Sequence, residues 1–272
     1  MPTPILIPPQ EPVILIERLA FPEGPAFDLQ GNLWCTEMDR ENLVRYIDGQ
    51  AERIPTGGRP NGLLFDSQGM AWVCDSSNMA IRTLDPASGT WQTIVERIDG
   101  APLQNPNDLI FDTAGNLLFT CPEWSTTEPI GYLACLRPDG TLLKIAEGLF
   151  QPNGLALIDG GKNLIVAETF KKRLLVGSWD SDKLAWNDPH PWADVGGDVG
   201  PDGMAYDDQG ILYVAVYGGG VVRAVDHAGK VLRDYPLPGH NPTNVALDPS
   251  GKLGMVVTEA EKGLLLSFPN TK

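Results

Sequence analysis

PDGMAYDDQGILYVAV, residues 201–216, reads as two short apolar strands joined by a tight turn. Pro201 and Asp202 open the first strand, and Asp207-Asp208-Gln209-Gly210 is the turn. Gly supplies the positive φ that such a hairpin needs. The same grammar recurs along the chain. It reads PEGPAFDLQGNLWCTE from Pro22, PNGLLFDSQGMAWVCD from Pro60 and PNDLIFDTAGNLLFTC from Pro106. It reads PNGLALIDGGKNLIVAET from Pro152 and PTNVALDPSGKLGMVVTE from Pro242. The six starts lie 38 to 49 residues apart. Further strand-like runs follow each copy, such as LVRYID at 43–48 and VVRAVD at 221–226. About four strands per repeat of this length describe a propeller blade. Six copies predict an all-β, six-bladed propeller filling residues 1–272 as one domain.

The rest of the chain agrees with this reading. With 30 Gly and 24 Pro in 272 residues it is dense in turns, and no segment keeps helical spacing of apolar residues. Closure needs a strand from one end to complete the blade of the other. PVILIERL at 12–19 and GLLLSF at 263–268 are the candidates, with the N-terminal strand expected outermost on the last blade. The net charge of −15 repels phosphate backbones and excludes nucleic acid as a partner. The first residues have no Lys or Arg before their apolar run, and prolines interrupt that run. They are expected to be neither a signal peptide nor a membrane span. Cys35, Cys74, Cys121 and Cys135 form no CxxC pair, so the expectation is buried, reduced thiols in a cytoplasmic protein.

The column that carries chemistry is the residue after each repeat's proline: Glu23, Asn61, Asn107, Asn153, Asp202 and Thr243. If the following run is the innermost strand, these side chains converge from six blades on one axis. A single Pro-Asn-Gly is an ordinary turn. Two carboxylates, three amides and a hydroxyl in register are instead the oxygen donors of a hard divalent cation such as Ca, Mg or Mn. No Cys stands in the column, which argues against a thiophilic structural site.

With EGPAFD (Glu23 to Asp28), PNDLIFD (Pro106 to Asp112), PNGLAL (Pro152 to Leu157) and PDGMAYDDQGILYVA (Pro201 to Ala215), the chain resembles the regucalcin/gluconolactonase family. That family includes luciferin-regenerating enzyme-like proteins. The resemblance implies a six-bladed propeller holding one divalent metal (Ca, Mg, Mn, Zn or Fe) and opening sugar lactones. Its metal ligands fall on Glu23, Asn153 and Asp202, with Asn107 near metal and substrate. Animal relatives carry an arginine two residues before that amide, where this chain has Asn105. Arg59 is either a guanidinium supplied from the neighbouring blade or a solvated loop charge.

The mechanism this suggests has Asp202 as general base for a water, or as nucleophile, and a carbonyl polarised by the metal. Trp124, Phe170 and Tyr217 follow second strands and either line the pocket or pack between blades. His190 sits in a Pro-rich loop and His227 in a hairpin; His240 lies near the channel mouth. The expected partner is a small lactone. A phosphotriesterase or aryl esterase on the same scaffold, and a non-enzymatic calcium-binding propeller, are the competing readings.

Overall fold

A computed structural model describes residues 11–124 and 126–269. The expectation about the first ten residues lies outside the described residues. Six four-stranded antiparallel sheets follow one another along the chain. Their first strands are Pro22–Phe27, Pro60–Phe65, Leu109–Phe111, Pro152–Ile158, Gly200–Tyr206 and Pro242–Leu247. Each first strand touches those of the blades before and after it, and the sixth touches the first, so the six close a ring around a central axis. The described residues form a six-bladed β-propeller. Strand Val13–Ile16 pairs with Leu264–Phe268 on the outside of blade 6, as expected for closure. Among the described residues, no helix is long and apolar enough to cross a membrane.

Alternating apolar side chains pack blade against blade. Between blades 4 and 5, Ile165, Ala167, Leu174 and Val176 meet Leu212, Val214 and Val216. The four cysteines are buried and unpaired. The turn aspartates also brace the sheets. The Asp28 and Asp66 carboxylates accept from the Trp34 and Trp72 indoles at 2.9 and 2.8 Å. Unequal blade spacing has visible causes. A short hairpin, Arg97–Ile98 with Ala101–Pro102, is inserted between blades 2 and 3. The outer strand of blade 4, Ala185–Asp194, runs ten residues.

That long strand corrects one expectation. His190 lies in it rather than in a loop, despite Pro189 and Pro191. It is an outermost strand with two register shifts against its neighbour, so missing N–H donors cost the ladder little. A second difference is in blade 3. The other inner strands take in their Pro-X pair, but here the strand begins at Leu109, after Pro106-Asn107-Asp108. Backbone bonds from Asn107 N to Thr120 O and from Thr120 N to Asp108 O still hold this stretch beside the second strand.

In four blades the second strand ends on a buried carboxylate: Glu37, Asp75, Glu168 and Glu259. Each accepts a backbone N–H from the chain entering its blade, from Ala20, Arg59, Phe150 and Asn241. Three also bind an arginine, with Arg53, Arg82 and Arg173 at 2.7–2.8 Å. These links pin the loops of the face on which the inner strands begin.

Candidate metal and catalytic centre

The axial column is built by one recurring irregularity. Inner and second strands lose register between Glu23 and Ala26, Pro60 and Leu63, Pro152 and Leu155, Pro201 and Met204, and Pro242 and Asn244. Each is a bulge with one extra residue on the inner strand, a device that re-aims side chains next to sites. The backbone there is fixed by bonds that run blade to blade. Thr36 Oγ1 donates to Asn61 O, Gly62 N to Asn107 O and Thr120 Oγ1 to Asn153 O. Thr169 Oγ1 donates to Pro201 O and Thr243 Oγ1 to Pro22 O. Carbonyls spent on the neighbouring blade leave the side chains for the axis.

Glu23, Asn61, Asn107, Asn153 and Asp202 are all between 3 and 9% exposed. Thr243 is fully buried, with its hydroxyl bonded to Pro22 O and Thr258 Oγ1. Glu23 and Asp202 share one electrostatic environment with a third carboxylate, Asp108, which the column of residues after proline does not contain. Burial pushes the Glu23 carboxyl up to about 8, with the Asp108 charge adding to it. Burial pushes Asp108 up to about 6. Asp202 is raised well above its ordinary value by burial, then by Glu23 and by Asp108, while the Asn153 amide beside it favours ionisation. Asp108 Oδ1 accepts from Leu109 N at 2.9 Å, and its Oδ2 accepts from Asn244 Nδ2 at 3.3 Å.

Among the described residues, the groups that perturb these three carboxyls include no lysine, arginine or histidine. Among the described residues no three His, Cys, Asp or Glu side chains are grouped so that they could hold a metal ion. The donor set that suits a hard divalent cation is the buried pair Glu23 and Asp202 with the amide oxygens beside them, and Asp108 adds its charge to both. The residues present therefore fit the ion that the sequence implied.

The remaining predicted residues lie on the surrounding face. The Tyr217 hydroxyl feels Asp202 and Glu23, and burial with those charges raises its pKa, so the phenol stays protonated beside them. Asn105 is 9% exposed, has φ of 55°, and its N–H donates to Met79 Sδ. The Arg59 guanidinium is held by Asp39 at 2.8 and 3.2 Å and stacks on Phe21. Trp124 is 65% exposed, which rules out packing between blades. His240 is an exposed loop residue whose N–H donates to Glu261.

Fold and site together define a class, the six-bladed propellers with a buried carboxylate and amide cluster on the axis. The SMP-30/gluconolactonase/LRE-like family model matches residues 21–261, and the chain belongs to that family. A gluconolactonase of Zymomonas mobilis is 30% identical over 246 residues, covering 78% of this chain and 69% of its own. The diisopropyl-fluorophosphatase of Loligo vulgaris is 25% identical over 96% of this chain and 93% of its own. Among solved structures, a gluconolactonase of Xanthomonas campestris superposes with a TM-score of 0.84 at 25% identity, covering 94% of this chain and 89% of that one.

Proposed function

We propose that this protein is a metal-dependent lactonase acting on a small aldonolactone-like ring. The observation that carries the reading is the buried pair Glu23 and Asp202 on the axis, with the half-buried Asp108 beside them and no cationic side chain among the groups that perturb them. The gluconolactonase names of the relatives support the substrate class. Glu23, Asn153 and Asp202 would hold the ion, with Asn107 beside it. When bound, a divalent cation supplies positive charge that neutralises the carboxylates and favours negative charge developing on a carbonyl oxygen.

The chain's own residues do the rest. Asp202, ionised in the loaded site, accepts a proton from water as that water attacks the carbonyl carbon. The carbon–oxygen bond of the ring then breaks, and the proton passes to the leaving ring oxygen. The Asn107 amide and the protonated Tyr217 phenol offer hydrogen bonds to substrate oxygens. Because Arg59 is engaged by Asp39, recognition of ring hydroxyls falls to neutral donors.

The test is a lactone panel on metal-stripped protein with single metals restored, run on wild type, Asp202→Asn and Glu23→Gln. Asp202→Asn should stay about 10²–10⁴-fold slow at saturating metal, the usual range for a lost general base. Glu23→Gln should recover most of its turnover. Full recovery of Asp202→Asn would remove Asp202 as the base. Faster turnover of diisopropyl fluorophosphate than of any lactone would favour the phosphotriesterase reading, which the Loligo relative supports.

A further inference from the structure

The position after the axial column is Gly24, Gly62, Asp108, Gly154, Gly203 and Asn244. Only blades 3 and 6 carry side chains there, and these blades stand opposite each other in the ring. Their side chains meet, with Asn244 Nδ2 donating to Asp108 Oδ2 at 3.3 Å. The facing glycines make this possible. A Cβ on Gly203 would lie 1.9 Å from the Asn244 amide carbon, and one on Gly62 would lie 2.8 Å from Asp108 Oδ1. The amide of Asn244 is also fixed in orientation, because its Oδ1 accepts from Val245 N at 2.8 Å. Its NH₂ is thereby turned to the carboxylates, where it also lies beside Glu23.

We infer that Asn244 is a positioning residue of the axial centre, spanning the channel to hold Asp108 and Glu23 in the arrangement that receives a divalent cation. This rests on the metal-site reading above and adds a residue from the sixth blade, whose Thr243 faces its neighbour's backbone instead. A neutral amide that donates to Asp108 beside Glu23 relieves repulsion between the carboxylates without adding a positive charge that would compete with the ion. An ammonium or guanidinium at this place would neutralise the site and keep the ion out.

Calorimetric titration of calcium and of manganese into metal-stripped protein tests the inference. Asn244→Leu is close in size and removes the donors. It should weaken binding about 10–100-fold, the usual effect of losing a partner of a metal ligand. Val44→Ala, a fully buried core change on the third strand of blade 1, is the reference. It should lower the melting temperature and leave the dissociation constant within about twofold, because its site is untouched. Asn244→Ala carries the same expectation if the leucine variant does not fold. Unchanged affinity in a folded Asn244 variant overturns the inference while leaving the metal site intact. Failure of the wild type to bind either ion overturns the metal-site reading and the positioning role with it.

Discussion

Stripping the cation and raising the pH should destabilise this protein from its centre. In the metal-free protein the Glu23 carboxyl is raised from an ordinary 4.5 to about 8, by burial first and by Asp108 second. The folded state therefore keeps a proton that the unfolded chain has lost. For a raised carboxyl the associated stability is fully present below pH 4.5 and disappears as the pH climbs through about 8. Asp108 follows the same sign with its loss complete sooner, near 6, and Asp202 adds to the effect. Each proton held in excess costs about 1.4 kcal/mol per pH unit. From about pH 6 to about pH 8, Glu23 alone removes about 2 kcal/mol, or about 4 °C in melting temperature for a chain of this size. Thermal unfolding followed by circular dichroism in excess chelator reads this directly. Glu23→Gln should reduce the slope and leave the part that burial of Asp202 supplies, and saturating calcium should abolish it, because the ion keeps the carboxylates charged. A melting temperature that stays level or rises across that interval in the metal-free wild type would refute the reasoning.

The loop-pinning carboxylates and the closing strand give two more outcomes. Glu168→Gln leaves the Arg173 guanidinium and the Phe150 N–H with a poorer acceptor and should cost about 1–3 kcal/mol in urea unfolding, while leaving metal affinity in the folded protein unchanged. Deleting residues 11–18 removes strand Val13–Ile16 and exposes the edge of Leu264–Phe268 in blade 6, so light scattering should show more association than for the full chain.

The fold was legible because a propeller repeats its grammar. Six Pro-X openings, six turns and a terminal strand at each end are local signals, and each becomes a blade feature. Where local signals conflict, the sheet decides. DPHPW at 188–192 carries the prolines of a loop, yet an outermost strand has a free side and tolerates them. Tyr217, read as either pocket or packing, proves to lie within the field of Asp202 and Glu23. Arg59, read as either guanidinium or solvated charge, is tied down by Asp39 from the neighbouring blade, a pairing 20 residues apart that no local pattern announces.

The centre was only half legible, and the reason is the bulge. An unbroken strand alternates sides, so a column read at one position after the proline appears to be the only one facing the axis. One extra residue in five of the six inner strands breaks that alternation, and two successive positions then approach the channel. The first gives Glu23, Asn61, Asn107, Asn153 and Asp202. The second gives four glycines, Asp108 and Asn244. The glycines look like turn residues in one dimension and hide this second column. In three dimensions two of them clear room for the only polar pair at that level, as the contacts of Gly203 and Gly62 show. The signal was present as two exceptions in an otherwise uniform column of glycines. It becomes readable once each Pro-X-Gly is taken as a bulge, whose second residue must be small unless its side chain is wanted in the channel.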